Sequence, residues 1–158
     1  MRDLWHAAVG GGGRVERRGR AVIADGECNY GTYMNARILI VDDSGFARRS
    51  LRQVLESAGH SVEEAKDGHE ALERYFLAKP DLVLLDMVME GMNGLEVLVK
   101  LRELDKEAKV IVATADIQAS TKVEAQAGGA SGFITKPFDR DQVIKAVSTV
   151  LTGGLSWS

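Results

Sequence analysis

Polar side chains follow four of the apolar runs in this sequence. Asp42 and Asp43 come directly after one run, Asp86 ends another, Thr114 follows a third, and Lys136 follows the last. Three carboxylates at one place repel one another unless a cation lies among them, and oxygen ligands of this kind suit Mg²⁺. A lysine and a hydroxyl can neutralise and hydrogen-bond phosphoryl oxygens. The residue types therefore favour phosphoryl transfer, with Asp86 as the nucleophile that forms an aspartyl phosphate.

Each of these residues also has a purely structural explanation. The paired aspartates would cap a helix that begins near Ser44. Asp86 and Thr114 would be ordinary strand-end residues, and Lys136 would be a solvated surface lysine. We favour the chemical interpretation because four separate strand ends each carry a residue type that the chemistry needs.

Five short runs predict the strands that position these side chains, namely 37–41, 61–65, 81–86, 109–113 and 131–135. The first, third and fourth are almost continuously apolar, as in strands buried on both faces of a parallel sheet. Alternation of strand and helix predicts an α/β fold of flavodoxin-like, doubly wound (βα)5 type. Its five-stranded parallel sheet would have the order 2-1-3-4-5, with the ligand site beyond the carboxyl ends of the strands.

Apolar residues at helical spacing fill the gaps between the strands and predict helices with one buried stripe each. The predicted stripes are Ala47, Leu51, Val54, Leu55 and Ala58; Ala71, Leu72, Tyr75 and Phe76; Leu98, Leu101 and Leu104; and Val143, Ile144, Val147, Val150 and Leu151. The segment 117–128 has few large apolar residues, so we expect a lightly anchored fourth helix.

The chain divides into three regions of unequal length. Residues 1–35 contain four consecutive glycines and a basic run, and we expect either disorder or a mis-annotated extension with translation starting at Met34. Residues 36–152 form the folded domain. Residues 153–158 form a short tail, and we expect no effector domain after Leu151.

The composition is that of an ordinary globular domain. The chain has 158 residues, of which 45% are hydrophobic and 27% charged. A formal net charge of -3 argues against a nucleic-acid-binding surface, which needs clustered lysine and arginine. Cys28 is the single cysteine, so an intrachain disulfide is excluded. No signal-peptide pattern or membrane-length apolar run occurs, and we expect a cytoplasmic protein without membrane insertion.

Four motifs carry a resemblance to a known family, namely ILIVDDS (38–44), LVLLDMVMEGMNGLEVL (82–98), VIVATAD (110–116) and GFITKPF (132–138). In order and spacing they resemble the receiver domain of bacterial two-component response regulators, in its stand-alone, chemotaxis-type form. The resemblance implies that Asp42, Asp43 and Asp86 bind Mg²⁺ together with the backbone carbonyl of Val88. It also implies that Asp86 is the phosphoacceptor.

The resemblance further implies a switch. Thr114 is similar to the hydroxyl that moves toward the phosphoryl group, Lys136 to the conserved-type lysine, and Phe133 to the aromatic residue that becomes buried when the hydroxyl moves. The Lys136–Pro137 bond resembles the family's cis peptide. Binding would change on the surface formed by the fourth helix, the fifth strand and the fifth helix.

The resemblance implies a phosphorylation-dependent signalling switch with a sensor histidine kinase and a downstream target protein as partners. Such a protein catalyses only its own phosphorylation and slow autodephosphorylation. Service as a phosphorelay intermediate or a phosphate sink stays open. A phosphatase of the haloacid-dehalogenase type is a remote alternative, because those enzymes place their nucleophile on the first strand as Asp-x-Asp. A scaffold without phosphoryl chemistry is disfavoured because all acceptor-site residue types are present.

Overall fold

The computed structural model describes residues 35–116 and 118–157, in which strands and helices alternate. The strands are β1 (Arg37–Val41), β2 (Ser61–Ala65), β3 (Leu82–Leu85), β4 (Val110–Thr114), β5 (Gly132–Thr135) and β6 (Ser156–Trp157). The helices are α1 (Gly45–Ser57), α2 (Gly68–Ala78), α3 (Gly94–Leu104), α4 (Ala119–Ala127) and α5 (Arg140–Leu151). The region 1–35, for which we expect disorder or mis-annotation, lies outside the described ranges except for its last residue.

The six strands form one parallel sheet with the order β2-β1-β3-β4-β5-β6. The predicted flavodoxin-like order 2-1-3-4-5 is confirmed. β6 is an additional strand of two residues, and it lies in the segment predicted to be a short tail. Because all strands are parallel, the residues that follow β1, β3, β4 and β5 come out at the same edge of the sheet.

Helices cover both faces of the sheet, which explains why the central strands are apolar at successive positions. β1, β3 and β4 are buried along nearly their whole length. Tyr75 of α2, Leu98 of α3 and Ala125 of α4 join the core on one face, and Leu51 of α1 and Val147 of α5 join the core on the other. Each fully buried large aliphatic side chain contributes about 1.5–3 kcal/mol, so these two layers hold the sheet in place.

The predicted strand bounds are close to those observed. β1 and β2 match the predicted segments, and β3, β4 and β5 each begin one residue later than predicted. Thr114 is therefore the last residue of β4 and not the residue after it. The predicted end of β3 at Asp86 is one residue too late, since the strand ends at Leu85.

Two predicted members of the buried helical stripes are wrong. Phe76 is 67% exposed and Leu104 is 61% exposed. Phe76 lies one residue beyond the buried Tyr75, and a step of one residue turns a side chain about 100° around the helix axis. Leu104 is the last residue of α3. None of the described helices is long and apolar enough to cross a membrane.

Candidate functional site

Backbone hydrogen bonds between neighbouring strands position the polar residues that follow β1, β3 and β5. The amide N–H of Asp42 donates to the carbonyl of Ala65 at 3.1 Å, and that of Asp86 donates to the carbonyl of Val41 at 3.0 Å. The amide N–H of Lys136 donates to the carbonyl of Thr114 at 3.0 Å. Each side chain thus leaves the sheet at a fixed register with its neighbour.

Three carboxylates meet at this edge. Asp42, Asp43 and Asp86 each present an oxygen, and these oxygens all lie within 4.8 Å of one another. Asp42 and Asp86 are buried, whereas Asp43 is exposed. Together with Lys136 they form what we call the acidic pocket.

Lys136 lies between the two buried carboxylates. Its Nζ is 2.7 Å from Oδ2 of Asp42 and 3.2 Å from Oδ2 of Asp86, and its side chain is 20% exposed. Burial by itself would lower the pKa of Lys136, but the Asp42 and Asp86 carboxylates outweigh it and the pKa is raised. The lysine is therefore a permanent positive charge in the pocket.

The carboxyl group of Asp42 responds differently. Burial raises its pKa above the ordinary value, and the hydrogen bond from Lys136 opposes that change without reversing it. The repulsion from Asp86 adds to the effect of burial. The single ammonium group of Lys136 thus faces three carboxyl groups, and it does not offset the effect of burial on Asp42.

The donor set of the pocket fits a hard divalent cation. Its three candidate ligands offer only oxygen atoms, which is the ligand type that Mg²⁺ prefers, and the excess negative charge matches a 2+ ion. Asp43 is exposed, so one side of the cluster faces solvent and can keep the waters that Mg²⁺ retains. The residues present therefore fit Mg²⁺.

Local hydrogen bonds orient the two buried carboxylates. Oδ1 of Asp42 accepts from the amide N–H of Ser44 at 2.9 Å, and Oδ1 of Asp86 accepts from the amide N–H of Val88 at 3.2 Å. The sequence left open whether the paired aspartates cap α1 or bind a metal. The cap of α1 is Ser44, whose side chain accepts a hydrogen bond from the amide of Ala47. Asp42 therefore has one oxygen in a turn and the other on Lys136.

Thr114 lies at the end of β4, fully buried. Its Oγ1 accepts from the amide N–H of Asp116 at 3.3 Å. Asp116 in turn accepts from the hydroxyl of Thr121 at 2.6 Å and from the amide of Gln118 at 3.0 Å. This chain of contacts connects the end of β4 to the first turns of α4.

Phe133 lies on β5 with its ring already buried, at 5% exposure. The ring stacks on Trp157 of β6 with 6.2 Å between centroids, and Nζ of Lys122 lies 5.9 Å from the Phe133 centroid. The Lys136–Pro137 peptide is cis, as the resemblance implied. The predicted site residues thus divide into the acidic pocket and a second group, Thr114 and Phe133, on the adjoining strands.

Comparison with known proteins identifies the family. The family model described as "Response regulator receiver domain" matches residues 38–148. Chemotaxis protein CheY of Thermotoga maritima is 41% identical over 118 residues, which is 74% of this chain and 98% of that protein. CheY of Halobacterium salinarum is 41% identical over 119 residues, covering 75% and 99% of the two chains. This chain belongs to the response regulator receiver family.

Solved structures agree with this assignment. The crystal structure of a CheX-CheY-BeF3-Mg complex from Borrelia burgdorferi superposes with a TM-score of 0.71 at 37% identity. It covers 77% of this chain and 93% of that chain. A CheY-like receiver from Methanospirillum hungatei superposes with a TM-score of 0.71 at 30% identity, covering 75% and 94%.

The chain is thus a CheY-like receiver, the module of two-component systems that acts as a phosphorylation-dependent signalling switch. Receivers are signalling proteins and not classical enzymes, and phosphorylation on aspartate with Mg²⁺ in an acidic pocket is general to them. Receivers of this type bind histidine kinases and downstream targets. The family assignment favours the receiver over the phosphatase alternative.

Sequence reasoning missed Gly94 as a residue of the site. A Cβ at this position would lie 2.3 Å from the carbonyl oxygen of Asp86 and 2.4 Å from Cα of Met87. The signal was present, because Asn93 and Glu96 have the spacing of a capping box and form one at the start of α3. A glycine directly after such a cap packs the helix end against the loop that carries Asp86.

Proposed function

We propose that Asp86 of this receiver accepts a phosphoryl group from a phosphohistidine of a sensor histidine kinase. The observation that carries the proposal is the position of Lys136, whose Nζ contacts both Asp42 and Asp86 inside the three-carboxylate cluster. A phosphoryl group on Asp86 needs a cation held beside the acceptor oxygen, and Lys136 holds one there.

In the transfer step, an Asp86 carboxylate oxygen attacks phosphorus. The O–P bond forms as the N–P bond to the kinase histidine breaks, and the electron pair of that bond stays on the imidazole nitrogen. Lys136 neutralises the negative charge on the phosphoryl oxygens as it arrives in the pocket. The product is an acyl phosphate on Asp86, so the receiver acts on itself and turns over no external substrate. Its slow loss to water resets the receiver.

Asp42, Asp43 and Asp86 would hold Mg²⁺, with the backbone carbonyl of Val88 as a further ligand. When bound, the ion supplies charge neutralisation between the carboxylates and the phosphoryl oxygens. The chain's own residues orient the acceptor: the Val88 amide fixes one Asp86 oxygen and Lys136 contacts the other.

The signal would leave through Thr114. Its hydroxyl oxygen accepts from the Asp116 amide in this structure. On phosphorylation the hydroxyl would move to donate to a phosphoryl oxygen, and Asp116 would carry the change to Thr121 on α4. The ring of Phe133 is already buried, so the proposed change is a repacking of α4 beside that ring. We call the surface formed by α4, β5 and α5 the output surface, and propose that a downstream target binds there.

We further propose that the protein works in the cytoplasm with a sensor histidine kinase upstream. The Borrelia burgdorferi structure holds CheY with a separate protein, CheX, and supports the idea that receivers of this kind act by binding partners. The domain that performs this function covers residues 36–152, with residues 1–35 outside it.

The test is phosphorylation by acetyl phosphate, followed by intact mass spectrometry. Wild type with Mg²⁺ should gain one phosphoryl group, and Asp86→Asn should gain none. Asp141→Asn, an exposed aspartate in the first turn of α5, is the matched control and should be phosphorylated like wild type. EDTA should abolish the adduct because the excess carboxylate charge then stays unbalanced.

An adduct on Asp86→Asn would assign the acceptor to another residue. The absence of any adduct on wild type, with acetyl phosphate and with a phosphorylated histidine kinase as donors, would overturn the proposal. It would leave the acidic pocket as a cation site without phosphoryl chemistry.

A further inference from the structure

The segment of residues 153–157, which we call the β6 segment, folds back onto the output surface. Two glycines make the turn after α5: Gly153 has a φ of +97°, and the amide of Gly154 donates to the carbonyl of Thr149 at 2.9 Å. The chain then runs parallel to β5, where Ser156 pairs with Gly132 and Trp157 with Phe133. The outer edge of β5 is thereby occupied by this chain itself.

The backbone approach depends on a glycine in β5. The amide of Ser156 donates to the carbonyl of Ser131 at 2.9 Å. A Cβ on Gly132 would lie only 2.8 Å from the carbonyl oxygen of Ser156, and such a contact would push the segment away. Gly132 thus makes the edge of β5 open to a strand that lies very close to it.

The side-chain contact is aromatic. The ring of Trp157 stacks on that of Phe133 with an interplanar angle of 25°, and Trp157 packs against the core beside it. Leu155, two residues earlier, is 68% exposed. The segment therefore makes contact through its backbone and one ring, while its aliphatic side chain contributes little.

The position of Phe133 makes this contact relevant to signalling. Phe133 lies beside α4, whose Lys122 also lies over its ring, and α4 is connected through Thr121 and Asp116 to the buried Thr114. The β6 segment thus covers the edge of β5 and the ring of Phe133. A target protein that responds to a change at Thr114 would bind at this place.

We propose that the β6 segment is a built-in, exchangeable occupant of the output surface. A target protein would displace it by adding an extended segment of its own to β5, with an aromatic side chain on Phe133. The proposal rests on the proposed function only in taking this surface as the output. Peptides that extend a sheet edge gain affinity from backbone hydrogen bonds and specificity from one or two side chains, which are the two contacts that β6 makes.

The size of the contact makes exchange feasible. β6 pairs through only two residues, and its attachment relies on a short connection to α5. A short connection gives the tethered segment an effective concentration of about a millimolar. A target segment therefore competes when it makes more contacts with β5 than the β6 segment makes. A target segment that pairs with more residues of β5, or that contacts more surface than the exposed Leu155 does, would supply that addition.

The first experiment measures whether the segment is docked. In a Trp5→Phe chain, Trp157 is the single tryptophan, and acrylamide quenching reports its exposure. Gly132→Ala should raise the quenching constant about twofold or more, because the added Cβ excludes Ser156. Ser156→Pro should do the same without altering β5, since it removes the donor to Ser131. Leu155→Ala is the matched control in the segment and should leave quenching unchanged.

The second experiment measures exchange with a fluorophore-labelled peptide of sequence GGLSWS, residues 153–158 of this chain. The peptide should bind full-length Ser156→Pro about tenfold more tightly than wild type, because its own segment no longer competes. The peptide GGLSAS should bind neither chain. Both measurements are repeated in Asp86→Asn, so they stand whether or not the pocket is phosphorylated.

A wild-type quenching constant as high as those of Gly132→Ala and Ser156→Pro would overturn the proposal that the segment is docked. Equal affinity of GGLSWS for the two chains, no binding to either, or equal binding of GGLSAS would overturn the exchange. Failure of Asp86 to become phosphorylated would overturn only the proposed function.

Discussion

The acidic pocket and the output surface are built to different standards of rigidity. In the pocket, Asp42, Asp86 and Lys136 each have a backbone amide tied to a neighbouring strand and a side chain tied to another pocket residue. On the output surface, α4 begins without a side-chain cap and buries only Thr121 and Ala125 along its length.

This difference teaches how a small domain can combine chemistry with signalling. A phosphoryl site needs fixed groups, because a shifted lysine or carboxylate no longer meets the transferred charge. A surface that responds must instead have conformations close in free energy, which a helix with few buried contacts provides. The predicted light anchoring of the fourth helix agrees with the two buried residues of α4.

The largest expected effect comes from Lys136→Met, which removes the ammonium group that contacts both buried carboxylates of the acidic pocket. The change leaves Asp42 and Asp86 without their shared partner, so phosphorylation by acetyl phosphate should slow about 100-fold. Mg²⁺ should raise the urea midpoint more in this variant than in wild type, because the ion replaces the lost positive charge. The exposed Lys145, changed to Met, is the control. A time course of intact mass equal to that of wild type would contradict the role given to Lys136.

Gly94→Ala should have the next largest effect, again beside the acidic pocket. The new Cβ meets backbone atoms of Asp86 and Met87, which cannot rotate away, so the variant should lose about 1–3 kcal/mol of unfolding free energy. Phosphorylation should slow as the loop moves. Gly45→Ala is the control, because its Cβ would lie 3.6 Å from Nη2 of Arg48, which is an ordinary van der Waals contact with a side chain. Denaturant unfolding measures the first effect and intact mass the second; a Gly94→Ala chain as stable as Gly45→Ala would be inconsistent with the close approach.

Thr121→Val tests the lightly anchored helix α4 of the output surface. It should leave the rate of phosphorylation near that of wild type. The hydrogen bond from Thr121 lowers the pKa of Asp116, so that pKa should rise toward its ordinary value in the variant. Amide hydrogen exchange should become faster in α4 and stay unchanged in α3. Ser120→Ala, exposed on the same helix, should show neither change. If exchange accelerated equally in both helices, the difference between the two regions would be lost.

The smallest expected effect lies away from both regions, at His60 near the start of β2. His60 is buried, its Nδ1 has no hydrogen-bond partner within residues 35–116 and 118–157, and burial lowers its pKa despite the charge of Asp81. The unfolded chain therefore binds more protons near the ordinary histidine pKa of about 6.5. The stability contribution is present above that pH and is lost as pH falls below it.

Urea unfolding between pH 7.5 and about 5.5 measures this loss of unfolding free energy, because that pH range spans the ordinary histidine pKa. His60→Gln should reduce the loss. An unchanged pH dependence in His60→Gln would place the titrating group elsewhere.

Much of the fold follows from local patterns. The run ILIV that follows the exposed Arg37 in β1 and the run LVLL of β3 are apolar at every position, which only a strand covered on both faces tolerates, and the helical stripes alternate with them. The strand order could be predicted because alternation of strand and helix is typical of the flavodoxin-like fold. The candidate pocket residues could be predicted because they follow or end the apolar runs. Phe76 and Leu104 could not be placed, because helical spacing does not specify how wide the buried stripe is.

The sequence by itself determined the sheet, its strand order and the meeting of Asp42, Asp86 and Lys136 at one edge, because parallel strands bring their carboxyl ends together. Only the tertiary structure decided what lies across space at close range. Gly94 against the Asp86 loop and Trp157 on Phe133 depend on how a helix end and a short sixth strand pack. Such contacts join residues from different elements at atomic distances, and periodicity along the chain carries no information about those distances.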